Sequence, residues 1–119
     1  MHEFAFQPLT KAEEWYRLIA EGRLSENQHY YIFKHSPRCP VSSSAKRRLL
    51  TAKSQFPYKL YEVDVIRSRS LSQEISRETN VNHESPQLLF MNGRRCLAHC
   101  SHGQVDIEHA EKFAQEMAP

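Results

Sequence analysis

No stretch of this chain is apolar for long enough to cross a membrane, and its first residues, MHEFAFQPLTKAEE, lack the basic start and apolar run of a secretory leader. Both absences predict a cytoplasmic protein with no membrane partner. Cysteine is scarce, three among 119 residues, and an odd set argues against a secreted disulfide framework and leaves at least one thiol free. Charge of one sign is scarce too. A formal net charge of only +2 does not call for a nucleic-acid partner. There is no internal repeat, low-complexity tract or long linker, so residues 1–119 are expected to form one domain, the length being too short for two.

What is present is the balance of a folded domain: 39% hydrophobic and 25% charged residues exclude a disordered chain. Thr10 and Glu13 have the spacing of a capping box for a helix through KAEEWYRLIAEG, with Trp15, Leu18 and Ile19 as its apolar stripe and Gly22 as its stop. HYYIFKH at 29–35 reads as a buried strand. A second helix is predicted from Cys39-Pro40 to near Phe56-Pro57, with Leu49, Leu50 and Ala52 offering a core face. KLYEVDVI at 59–66 is a second strand, and LSQEISRETN at 71–80 an amphipathic helix. QLLFM at 87–91, a hairpin turn at Asn92-Gly93 and the returning RRCLAHC at 94–100 complete the strands before a last helix from Asp106 to Met117. This order predicts an α/β fold, a four-stranded mixed sheet with helices on both faces and an extra N-terminal helix.

The chemistry concentrates in Lys34-His35-Ser36-Pro37-Arg38-Cys39-Pro40-Val41-Ser42. Cys39 stands between a buried strand and the helix after it. A thiol there faces unpaired backbone N–H groups and the positive end of the helix dipole, which favour thiolate over thiol. Lys34, Arg38 and a protonated His35 would act the same way. Ser42 takes the place of the second thiol of a C-x-x-C motif. It can hydrogen-bond the Cys39 sulfur but cannot resolve a mixed disulfide, so a one-thiol mechanism follows. Pro86, in His83-Glu84-Ser85-Pro86, sits just before a strand, where its missing N–H costs nothing. A cis bond there would leave the Ser85 backbone free to pair with an extended substrate.

The arrangement of strand, cysteine helix, X-Pro, hairpin and final helix resembles the thioredoxin fold. FKHSPRCPVS, NHESPQLLF and NGRRCLAHCSHG further resemble the YtxJ-like monothiol bacilliredoxin family, whose hallmark is Thr-Cys-Pro-Ile-Ser. Arg38 stands where that family favours Thr, and Val41 where it favours Ile. The resemblance implies a thiol–disulfide oxidoreductase that removes bacillithiol from S-bacillithiolated proteins through a Cys39 mixed disulfide. Bacillithiol would be cosubstrate and adduct, no cofactor would be bound, and a low-molecular-weight thiol or a reductase would regenerate Cys39. It also implies that Pro86 is the cis-proline facing the cysteine. The carboxylates of bacillithiol's malate moiety could then be met by Lys34, His35, Arg38 or His83, with Pro40 and Ser85 completing the substrate site. A monomer or weak dimer is expected.

Cys96 and Cys100 lie four apart on the last strand, which places them on one face if the strand is regular, with Cα atoms about 13 Å apart and too distant for a disulfide. Cys100, at the strand end, is a candidate resolving thiol. Cys96, His99, Cys100 and His102 match no zinc spacing, so no metal is assigned. The rival readings are a noncatalytic thioredoxin-fold interaction module and an iron–sulfur carrier of the one-thiol glutaredoxin type. A cysteine hydrolase would need an orienting acid, for which Glu84 is the candidate.

Overall fold

The computed structural model describes residues 2–24, 28–55 and 57–118. Among these residues seven strands and four α-helices follow in the order β1 (His2–Glu3), β2 (Phe6–Pro8), α1 (Ala12–Ala20), β3 (His29–His35), α2 (Pro40–Leu50), β4 (Lys53–Ser54), β5 (Leu60–Asp64), α3 (Arg69–Thr79), β6 (Gln87–Asn92), β7 (Arg95–Ser101) and α4 (Ile107–Met117). The main sheet has five strands in the order β2-β5-β3-β6-β7, and β1 pairs with β4 in a separate ribbon. The expected four strands thus become five, because β2 adds itself parallel to β5 along an outer edge. It is three residues long and closes on Pro8, which suits an edge.

β3 is central because it is apolar on both faces. Tyr31 and Phe33 pack with Leu49, Leu88 and Phe90 on the face covered by α2 and α4. Tyr30 and Ile32 pack with Trp15, Leu71, Ile75 and Leu89 on the face covered by α1 and α3. The Tyr30 hydroxyl donates to the Gly93 carbonyl (2.6 Å) and accepts from the Trp15 indole N–H (2.9 Å), so α1 is anchored to the hairpin through one buried hydroxyl.

Several boundaries differ from those expected. Lys11, not Thr10, is the N-cap of α1, and the Glu14 carboxylate accepts the Thr10 N–H in place of a Thr10–Glu13 box. The Gly22 stop holds. Gly22 has φ 65°, and the Gly22 and Arg23 N–H groups bond back to Ile19 and Leu18. Helix α2 ends at Leu50 rather than near Phe56: the Thr51 hydroxyl donates to the Arg47 carbonyl, and Lys53–Ser54 leaves to pair with β1. Leu50 is consequently exposed, Leu49 buried and Ala52 half-buried; Phe56 lies outside the described residues. Strand β5 stops at Asp64 because its carboxylate accepts the Ile66 and Arg67 N–H groups and turns the chain into α3. The hairpin turns on Gly93 and Arg94, one residue later than expected, with Gly93 at φ 58°.

Strand β7 also departs from regularity. Phe90 faces Ala98 but Met91 faces Cys96, so Leu97 is an extra residue in a bulge. The expected common face of Cys96 and Cys100 is therefore lost. Cys96 packs on the α1/α3 side and Cys100 on the α2/α4 side. Among the described residues no helix is long and apolar enough to cross a membrane.

Candidate thiol site

The sheet register gathers the candidate residues at one end. His35 ends β3 beside Asp64, the end of β5, while Lys34 pairs with Gln87, the first residue of β6. Gln87 in turn pairs with Ser101, the end of β7. The loop 36–39, the segment 83–86 and the turn at 102–104 therefore share one edge. The Ser85–Pro86 bond is cis. The Pro86 carbonyl accepts the His102 N–H at 2.9 Å, and the Arg48 guanidinium, donating to the Val105 carbonyl at 3.1 Å, ties that turn to α2.

Cys39 is the N-cap of α2, with extended backbone, and is half-exposed. Its N–H closes a turn onto the Ser36 carbonyl, and its own carbonyl accepts the first helical bond, from Ser43. Pro40 at the first helical position removes one donor there. The next N–H groups, of Val41 and Ser42, have no partner inside the helix by its geometry. Arg38 and Pro40 are exposed on either side of the cysteine, and Val41 is half-exposed.

Ser42 has a different place from the one its spacing suggests. Its hydroxyl is buried, accepts the Ser36 N–H at 3.0 Å and lies 3.1 Å from His35 Nδ1. It closes the 36–42 loop upon itself. His35 is likewise buried, stacked on Phe33, and burial holds its ring below the ordinary histidine value. Lys34 is fully buried on the opposite face, its ammonium donating to the Ser72 carbonyl and the Ser76 hydroxyl, both at 2.9 Å. Burial lowers it to about 8. The two cations expected beside the thiol are thus withdrawn from the surface, and Arg38 and His83 are the exposed members of the set.

Two features were not among the expectations. The Lys46–Glu62 ion pair (2.9 Å) joins α2 to β5 under the loop, and no local spacing predicts it. Ser72 and Ser76 form a polar pair beside the buried Leu71 and Ile75 stripe of α3, a signal that was readable. Cys96 donates its thiol proton to the Ala98 carbonyl and Cys100 to the Gln104 carbonyl. Burial pushes these thiols up to about 11 and about 12. Among the described residues no group of three or more His, Cys, Asp or Glu is placed to hold a metal.

A mixed sheet with this order, a cysteine heading the helix after its central strand and a cis-proline just before the neighbouring strand β6 define a thioredoxin-fold thiol–disulfide oxidoreductase. Solved structures agree on the fold. A thioredoxin-fold protein proposed to be an oxidoreductase is 26% identical with TM-score 0.77, over 92% of this chain and 93% of that one. A thioredoxin from Nicotiana alata is 11% identical with TM-score 0.72, over 97% and 95%. Mitochondrial thioredoxin 3 from Saccharomyces cerevisiae is 15% identical with TM-score 0.67, over 93% and 94%. Residues 7–110 match the family model of the monothiol bacilliredoxin BrxC, and the chain belongs to that family.

Proposed function

We propose that the protein removes bacillithiol from S-bacillithiolated proteins in the bacterial cytoplasm, through a mixed disulfide on Cys39. The observation that carries this reading is the contrast among the three thiols. Cys96 and Cys100 donate their thiol protons to backbone carbonyls, whereas Cys39 heads a helix, half-exposed, at the same end of the sheet as the cis-proline segment.

In the first step the Cys39 thiolate attacks the bacillithiol sulfur of the modified protein. The protein–bacillithiol S–S bond breaks as the Cys39–bacillithiol bond forms, and the protein leaves as a thiolate that takes a proton from water. In the second, a free bacillithiol thiolate attacks the adduct, giving bacillithiol disulfide and restoring Cys39. One disulfide is exchanged for another in each step, so no outside oxidant is needed. Ser42 is a positioning residue that holds the loop, Ser85 offers backbone to an extended protein segment next to Pro86, and Arg38 and His83 take the carboxylates. A Cys100 held at about 12 has little thiolate with which to resolve the adduct.

The test is intact mass of the reduced protein after bacillithiol disulfide, with glutathione disulfide in parallel and Cys39→Ser as control. One bacillithiol adduct, absent in the control, is the expected result. A loss of two hydrogens without adduct would make an internal disulfide the product, with Cys100 the first suspect. No change with either disulfide would leave a noncatalytic binding module.

A further inference from the structure

Lys34 is a fully buried ammonium whose three partners include no carboxylate: the Ser72 carbonyl, the Ser76 hydroxyl and His83 Nδ1 at 3.4 Å. The Ser72 hydroxyl approaches the same ring nitrogen to 3.2 Å. An ammonium has protons to give and no lone pair to receive one. His83 Nδ1 must therefore accept, the ring must be neutral, and its single proton must sit on Nε2. That nitrogen is on the side of the ring away from Lys34, on an exposed residue three positions before cis-Pro86.

We propose that Lys34 sets His83 as a fixed outward N–H donor that recognises a carboxylate of the low-molecular-weight thiol carried by Cys39. The ligand class rests on the bacillithiol reading above; the tautomer rests on the hydrogen bonds alone. Burial holds His83 below the ordinary histidine value, and the Lys34 ammonium 3.4 Å away acts in the same sense by disfavouring a second cation. Glu84 opposes this, but its carboxylate also faces His102 Nδ1 at 3.6 Å. His83 thereby stays a neutral donor to lower pH than an ordinary exposed histidine does. Lys34, unable to reach a ligand itself, acts through it as a positioning residue.

The test has two arms on the full chain. Nitrogen-15 NMR of histidine-labelled, reduced protein reads the tautomer directly. His83 should show the Nε2–H form and stay neutral at pH values where an ordinary exposed histidine protonates. An Nδ1–H form, ordinary titration, or an unchanged tautomer in a folded Lys34→Met variant would overturn the proposal. The second arm compares rates of Cys39 with bacillithiol disulfide and with the uncharged hydroxyethyl disulfide. The ratio of the two should fall roughly tenfold in His83→Ala, the scale of a lost hydrogen bond to a charged group, and be largely restored in His83→Gln, whose amide nitrogen reaches the same place. An unchanged ratio in His83→Ala would overturn it. If the unmodified protein reacts with hydroxyethyl disulfide alone, the bacillithiol reading and the proposed ligand fall together, while the tautomer remains as measured.

Discussion

At the scale of the residue, the informative pair is Lys34-His35. Successive side chains on a strand point to opposite faces. Lys34 therefore grips α3 and His83, while His35 turns to Ser42 in α2. One dipeptide braces the cysteine loop from one side of the sheet and the proline segment from the other. The Lys34 arm has a measurable cost. Its ammonium is held at about 8 against 10.5 in the unfolded chain, so between those values the unfolded state binds more protons. Stability should then rise with pH from about 8 to 10.5, as the penalty present below 8 is relieved. The penalty is on the order of 3 kcal/mol. Urea unfolding of Lys34→Met should lack this rise, and the difference between variant and parent isolates it from the tyrosines that titrate higher. The importance of both residues was legible from their place beside the cysteine. Their direction was less so, because HYYIFKH is apolar enough on both faces to hide its alternation, and Lys34 reads as a surface cation until Ser72 and Ser76 are seen to receive it.

At the scale of the element, what could be read was whatever depends on near neighbours in the chain. β3, the hairpin and α4 follow from their own composition, and the Gly22 stop from its left-handed backbone. The short pieces did not follow. β2 exists because β5 offers it an edge, and β4 because β1 receives it, so no three-residue window contains the reason. The bulge at Leu97 likewise depends on the partner strand β6. Helix α4 shows a local signal at work: Asp106 is its N-cap, accepting the His109 N–H at 3.0 Å with the His109 ring at 2.8 Å. Burial pushes the Asp106 carboxyl up, but the His109 N–H and ring, with Arg48 nearby, outweigh it and hold the group below its ordinary value. Its contribution is therefore present near neutral pH and lost as pH falls through that depressed value. Asp106→Ala should cost about 1 kcal/mol in urea unfolding at neutral pH, Asp106→Asn less, and the gap between Asp106→Ala and the parent should close in acid.

At the scale of the whole molecule, a sheet covered on both faces was already implied by helices alternating with strands. The meeting of the loop at 36–39, the proline segment and the turn at 102–104 was legible only through likeness to known proteins, since it depends on register across four strands. That register, through its one bulge, also leaves the chain with a built-in pair of gauges. Cys96 belongs to one layer and Cys100 to the other. A thiol reagent applied to the native protein should take one equivalent rapidly, at Cys39. The other two, the half-buried Cys96 and the buried Cys100, donate to backbone carbonyls and should label more slowly, and faster once their own layers open. Peptide mapping of the slow phases would then time the loosening of each side of the sheet separately, with no residue replaced. Rates that rise together as urea is added would mean that the layers part together, and a rise at one before the other would show which lets go first.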